Sequence, residues 1–257
     1  MTTQNQGIAP PDSKSEGVSD KPIAVRLSEA TKIYGKIGTE SAVIAIDRIS
    51  LTVNSQQFVS IMGPSGSGKS TLLHCAAGLD SLTYGSAFIG DIDITRLSDT
   101  SLTKVRRNNI GFIFQAFNLL PTLTAQQNIT LPIELASGKL DRDWFDQLVE
   151  SLAIKDRLNH LPSELSGGQQ QRVAAARAMI TKPTVLFADE PTGNLDSKSG
   201  SQLLQFLKYS TRSLGQTVVI VTHDAKAAAN ADVVYVVRDG HIDTVVKDPT
   251  VDQLLGI

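Results

Sequence analysis

One cysteine in the whole sequence excludes an internal disulfide, and Cys75 sits in an otherwise apolar stretch. That combination predicts a packed thiol in a reducing compartment. Long apolar runs are missing too, since none approaches the ~18 to 20 residues that a membrane-spanning helix requires. The N-terminus has no charged start followed by an apolar core, so any membrane span is expected on another polypeptide. Neither charge is in surplus. The 24 basic and 26 acidic side chains leave a formal charge of -2, which excludes a global attraction for nucleic acid or anionic lipid and makes any phosphate site local. Aromatic residues are scarce, with a single tryptophan. Trp144 and Phe145 recur with Leu148, Val149 and Leu152 at helical spacing, which predicts core packing rather than a ligand box. No motif occurs twice, and no internal repeat is present.

What the chain does have is enough apolar content, 41% of 257 residues, for one large domain with its own core and a smaller subdomain. Residues 1–21 are rich in Ser, Gln, Pro, Gly and Asp and are expected to form a disordered tail, leaving 22–257 as the folded domain. Val25 to Ala30, Ile49 to Val53 and Phe58 to Met62 are β-rich segments between polar turns, predicting a small sheet that leads into a core strand. Phe58 to Met62, Val185 to Ala188 and Val218 to Val221 are compact apolar runs, each followed by polar residues and a helical pattern. Strands buried on both faces of a parallel sheet have that pattern. Thr124 to Ala136 and the Trp144 segment predict a helical insertion near 116–165.

Gly63-Pro64-Ser65-Gly66-Ser67-Gly68-Lys69-Ser70-Thr71 follows the strand ending at Met62 and opens the helical stretch Thr71 to Ala77. It matches G-x-x-x-x-G-K-[ST] in the strand-loop-helix setting that the motif needs. Glycines let backbone N–H groups turn inward around phosphates, the helix N-terminus adds positive potential, and Lys69 can reach β and γ oxygens. Ser70 is the expected Mg²⁺ ligand. A nucleoside triphosphate site follows, although this motif alone does not separate a transporter motor from a small kinase or a GTPase. The run Val185 to Glu190 ends in two acids at the carboxyl edge of the sheet, where open α/β folds bind ligands. Asp189 is expected to face the Mg²⁺ shell and Glu190 to orient or deprotonate the attacking water. Capping of the following helix is the alternative use of these acids.

Leu165-Ser166-Gly167-Gly168-Gln169-Gln170-Gln171-Arg172, ahead of the Ala-rich stretch Val173 to Met179, resembles the signature sequence of ATP-binding cassette proteins. The remaining elements of that family occur in order from Tyr34 onward. Tyr34 lies where the family has its adenine-stacking aromatic. Gln115, ending the expected strand Ile110-Gly-Phe-Ile-Phe, resembles its Mg²⁺- and water-sensing glutamine. Asn194-Leu195-Asp196 resembles the loop that crosses its dimer interface, and His223 resembles its switch histidine. The resemblance implies a P-loop NTPase (RecA-like) α/β core with a parallel sheet, an N-terminal antiparallel β subdomain and an inserted helical subdomain. It also implies an ATPase in which the phosphate loop of one chain and the Ser166–Gln169 segment of a second grip the same ATP.

Gly111 to Ala125, Asn128 to Pro132 and Pro191 to Asp196 resemble the branch of the family that contains the macrolide exporter MacB, the lipoprotein extractor LolD and the division protein FtsE. This implies a homodimer on a separate four-helix permease of the MacB/FtsX-like type, at the cytoplasmic face of the membrane, with no nucleic-acid partner. The turn Asn54-Ser55-Gln56-Gln57, where relatives often carry Gly-Glu, and the long polar tail depart from that pattern. Two other readings use the same motifs: a soluble cassette ATPase of repair or translation, which generally carries two cassettes, and an ATP-binding interaction module with little turnover.

Overall fold

The computed structural model describes residues 21–257. Residues 1–20 of the expected tail lie outside the described residues. In chain order the elements are β1 (Ile23–Tyr34), β2 (Val43–Asn54), β3 (Phe58–Met62), α1 (Lys69–Ala76), β4 (Tyr84–Ile89), β5 (Ile92–Asp93), α2 (Asp99–Asn109), β6 (Ile110–Ile113), α3 (Ala125–Leu135), α4 (Arg142–Ser151), α5 (Gly167–Met179), β7 (Val185–Asp189), α6 (Ser197–Ser213), β8 (Val218–Thr222), α7 (Ala225–Ala228), β9 (Val233–Arg238), β10 (His241–Lys247) and α8 (Val251–Leu255). They form an antiparallel sheet in the order β2-β1-β4-β5 and a six-stranded sheet in the order β10-β9-β3-β8-β7-β6.

Residues that alternate along each central strand go to opposite faces, as the two-residue period of a strand dictates. Leu186 and Ala188 of β7, and Val218 and Ile220 of β8, pack with Val173, Ala176 and Leu207 of the flanking helices. Their neighbours Val185, Phe187, Val219 and Val221 pack on the other side with Leu72 and Leu73 of α1 and with Leu27, Ile46 and Ile89 of the antiparallel sheet. Both faces are covered, which is why these strands read as unbroken apolar runs. The expected parallel sheet is accurate for five strands. The sixth, β10, pairs antiparallel with β9 at the edge, since a hairpin through Asp239–Gly240 leaves no room for a crossover.

The parallel register places the function-bearing ends together. Met62 pairs with Thr222, Asp189 with Val221, and Ile113 with Ala188. The segments beginning at Gly63, His223, Glu190 and Phe114 therefore all leave the same edge of the sheet.

Between β6 and α5 the chain carries α3 and α4 joined by loops, and Ala125, Ile129, Phe145, Leu148 and Val149 of these helices join the same apolar core as the sheet. The helix starts are set by side chains. Thr124 caps α3 in a capping box with Gln127, and Asp141 accepts from the Trp144 N–H at the start of α4. The Trp144 indole N–H donates to the Met179 carbonyl at 3.0 Å, so the lone tryptophan is a packed residue with a satisfied donor. No helix among the described residues is long and apolar enough to cross a membrane.

Cys75 is buried beneath the antiparallel sheet at 2% exposure, and burial pushes its thiol up to about 12. Alkylation by iodoacetamide at pH 8 is therefore expected only after denaturation, followed by mass spectrometry. Fast labelling of native protein would contradict the packing. Because the folded thiol resists ionisation, its contribution to stability holds at neutral pH and is lost as pH rises through the alkaline range toward its folded value.

Candidate functional site

The phosphate loop is shaped by the backbone around it. Gly68 sits at φ +97°, and a Cβ there would lie 2.1 Å from the Ala45 carbonyl oxygen just ahead of Ile46. Only glycine satisfies both constraints. A Cβ on Gly63 would lie 2.1 Å from the Val237 carbonyl oxygen. From the far side, the Gly240 N–H donates to Ser67 O at 3.1 Å and the Asp47 N–H donates to Gly240 O at 2.9 Å, so the β9–β10 hairpin braces the loop against β2. Helix α1 starts from Gly68 with no side-chain cap, which leaves its first-turn N–H groups for an anion.

A cavity of about 670 Å³ opens over this loop. It is lined by loop residues Pro64, Ser65, Gly66, Gly68, Lys69, Ser70 and Thr71, by Glu190 and His223 on one side, and by Val43, Ile44 and Ala45 on the other. Lys69 is 7% exposed, and its Nζ donates to the Pro64 carbonyl at 2.7 Å. Burial lowers its pKa, against the pull of the Glu190 and Asp189 carboxylates. A cation held in that balance is stabilised by an incoming polyphosphate.

The carboxylates split into two pairs. Ser70 Oγ donates to Asp189 Oδ1 at 3.0 Å, with His74 Nε2 3.3 Å from the other oxygen, Oδ2. The His223 Nδ1–H donates to Glu190 Oε1 at 2.8 Å. Strand β7 ends at Asp189, one residue short of the expected pair. Glu190 lies beyond it at φ +45°, a left-handed turn that is costly for a side-chain-bearing residue. That turn is held by the Glu190 N–H donating to Val221 O at 3.0 Å.

The other expected site residues lie apart from this cavity. Strand β6 ends at Ile113, so Gln115 sits on the loop rather than the strand; its Nε2 donates to Asn194 Oδ1 at 3.4 Å, and Asn194 Nδ2 donates back to Gln115 O at 3.1 Å. Ser166 caps α5, reciprocated by Gln169, and Asp196 caps α6 through the N–H groups of Lys198 and Ser199. Gly167 and Gly168 form the first turn of α5, where a Cβ on Gly168 would lie 2.5 Å from Ser199 Oγ. The two capped helix starts are thus neighbours on one patch, away from the loop. Tyr34 is 43% exposed, outside the lining of the cavity, but it pairs across the sheet with Val43, which does line it.

Two residues of α5 that the sequence reading did not single out tie these loops together. Gln171 is fully buried, and its Nε2 donates to Pro191 O at 2.7 Å and Phe114 O at 3.4 Å. The Arg177 guanidinium donates to the carbonyls of Asn118 at 2.6 Å and Phe117 at 2.9 Å, both residues having positive φ. Their signal in the sequence was polar side chains on the otherwise apolar face of an Ala-rich helix.

A phosphate loop at the edge of a doubly covered sheet, facing a strand-end acid pair, defines a P-loop nucleotide hydrolase. The family model described as ABC transporter matches residues 46–193. Over 225 residues the chain is 44% identical to the ABC transporter ATP-binding protein MJ0796 of Methanocaldococcus jannaschii, covering 85% of this chain and 95% of that one. It is also 44% identical over 221 residues to the bacitracin export ATP-binding protein BceA of Halalkalibacterium halodurans, covering 85% and 87%. The macrolide export ATP-binding/permease protein MacB of Bdellovibrio bacteriovorus is 43% identical over 205 residues, 80% of this chain but 31% of that longer protein. The solved dimeric, post-hydrolysis structure of MJ0796 bound to ADP and Pi superposes with a TM-score of 0.79 at 40% identity, covering 88% of this chain and 99% of that one. The chain belongs to the ABC transporter ATP-binding family, and it is an ATPase that binds ATP.

Proposed function

We propose that this chain is the motor of an export-type or force-transmitting ABC transporter, acting as a nucleotide-sandwich dimer on a separate permease of the MacB/FtsX-like type at the cytoplasmic face of the membrane. The observation that carries the chemistry is the hydrogen-bonded Glu190–His223 pair on the same cavity as Lys69. Water attacks the γ-phosphorus in line and gives its proton to the Glu190 carboxylate, while the bond to the β-phosphate oxygen breaks to yield ADP and phosphate. His223 holds Glu190 in place and reaches the γ-phosphate. Lys69 and the N–H groups of residues 66–71 stabilise the charge on the phosphates.

Ser70 and Asp189 would be oxygen donors for Mg²⁺, with Gln115 a third. Hard oxygen ligands suit that ion. When bound, Mg²⁺ neutralises phosphate charge.

Ser166, Gly167, Gly168, Gln169 and Asp196 lie away from the cavity of their own chain, which supports their acting on the ATP of a second copy. The dimeric MJ0796 structure supports this assembly, and the names of BceA and MacB support export. The γ-phosphate then favours the closed dimer, and its loss releases it. Tyr34 is the base platform. Residues 22–257 make up the ATPase domain, with 116–165 its helical insertion.

Detergent copurification tests this reading. A four-span permease that raises ATPase activity is expected, whereas robust activity with no membrane partner, or association with ribosomes or DNA, would remove the transporter assignment. Ser166→Ala is expected to cost about 1 kcal/mol of stability through the lost cap, seen in the melting temperature. It should also weaken the ATP-dependent dimer in size-exclusion chromatography; a dimer of wild-type strength would separate Ser166 from the shared site.

A further inference from the structure

The sequence offers no reason to connect Lys32, Tyr34 and Asp80, yet they form one hydrogen-bonded cluster beside the phosphate helix. Lys32 is 8% exposed. Its Nζ donates to Asp80 Oδ1 at 2.6 Å and to Ser81 O at 2.8 Å, and it stands over the Tyr34 ring, 4.9 Å from the centroid. The Tyr34 hydroxyl donates to the second Asp80 oxygen, Oδ2, at 2.8 Å and also lies against the Thr71 side chain. One carboxylate therefore fixes both the ammonium on one face of the ring and the hydroxyl at its tip.

The cluster is anchored to the helix that follows the phosphate loop. The Asp80 N–H donates to His74 O at 3.2 Å at the end of α1. The Ile33 N–H donates to Thr83 Oγ1 at 2.9 Å, and the Thr83 N–H donates to Thr31 O at 2.8 Å. These bonds stitch the end of β1 to the segment that leaves α1. The ring is thus held in register with Thr71 and opposite Val43, both on the rim of the cavity. Although burial works against the Lys32 ammonium, the Asp80 carboxylate outweighs it and holds its pKa above the usual value. The same bonds hold the Asp80 carboxyl below its usual range despite burial. The pair is charged at neutral pH.

We infer that Lys32 and Asp80 are positioning residues for the nucleobase: they lock the Tyr34 ring in one orientation as a stacking platform and bias it toward purines. This rests on the reading of Tyr34 as the base platform. Both Asp80 oxygens and two Lys32 donor contacts are used within the cluster, so neither side chain needs to touch the nucleotide. The cation on one face draws electron density from the ring, which favours stacking of an electron-rich purine on the other.

The test compares Lys32→Met, Asp80→Asn, Tyr34→Phe and Tyr34→Ala in the full chain. Binding of ATP, CTP and inorganic tripolyphosphate is measured by calorimetry, alongside KM and kcat for ATP. Lys32→Met and Asp80→Asn are expected to raise the ATP Kd and KM about five- to ten-fold, part of the loss that removing a base–aromatic stack brings. The kcat at saturation and the tripolyphosphate Kd should stay within about two-fold of wild type, and the preference for ATP over CTP should shrink. Tyr34→Phe, which keeps the ring and loses the anchor, should fall between wild type and Tyr34→Ala. If Tyr34→Ala weakens ATP binding while both Lys32→Met and Asp80→Asn leave it unchanged, the positioning role falls and the platform stands. If Tyr34→Ala has no effect, the platform reading itself falls. An equal loss for tripolyphosphate would place the effect on the phosphate loop and overturn the inference. Asp80→Asn leaves one acceptor oxygen where Lys32 and the Tyr34 hydroxyl each had their own, its amide nitrogen being a donor; a double Lys32→Met/Asp80→Asn variant, with no unpaired charge, covers the case in which Lys32→Met alone fails to fold.

Discussion

Glu190→Gln is expected to bind ATP as tightly as the wild type and to lower turnover about 100- to 10,000-fold, the range a positioned general base contributes. The substitution keeps the shape of the side chain and an acceptor oxygen for His223 Nδ1, which now lies 2.8 Å from Oε1. What it removes is the negative charge that accepts the proton from water. Binding survives because Lys69, Ser70 and the loop N–H groups are untouched. With hydrolysis stalled, the ATP-bound dimer should accumulate as a stable species in size-exclusion chromatography with ATP. Phosphate release under single-turnover conditions measures the chemical step directly. Near-normal turnover in the purified variant would take Glu190 out of this role.

Gly68→Ala should abolish nucleotide binding for a different reason. The new Cβ meets a backbone oxygen at 2.1 Å, and the residue is held at φ +97°. The left-handed backbone costs about 1–2 kcal/mol, and forcing Ala45 aside adds roughly 1–3 kcal/mol. Gly66→Ala is the control within the same loop. It shares the positive φ, at +81°, but a Cβ there meets nothing within 4 Å, so only the conformational cost applies. Urea unfolding should therefore rank Gly68→Ala clearly below Gly66→Ala, with fluorescent-nucleotide binding lost in the former. Equal stabilities for the two variants would mean that the contact with Ala45 does not shape the loop.

The parts of the fold that could be read in advance are those where burial leaves a strong pattern. Val185 to Ala188 and Val218 to Val221 are apolar at every position because both faces of the sheet are covered. Thr124 and Ser166 marked helix starts through their side chains. Helix α2 left only a faint trace: none of its residues is fully buried, and Leu102 and Val105 alone pack against the core, so its apolar stripe is two residues long. Strand β10 is largely exposed and depends on its partner, which periodicity cannot supply.

At the site, the phosphate loop and the strand-end acids were legible because each is contiguous in sequence. The shared contacts Ser70–Asp189 and His223–Glu190 join segments more than 30 residues apart, and only the register of β3, β7 and β8 brings them together. What Gln171 and Arg177 hold could not be read in advance, because their partners are backbone carbonyls, which have no sequence signature.

The bracing of the phosphate loop bears on how this protein could be divided. A fragment cut at 46–193 would retain the phosphate loop, the signature helix and the acid pair. It would lose β8 and β9 from the middle of the sheet, and with them the Val237 and Gly240 backbone that presses on Gly63 and Ser67. The span over which the motifs are recognised is thus smaller than the unit that gives them their shape. Transplanting the loop into another scaffold would have to carry over a hairpin nearly 180 residues further along the chain.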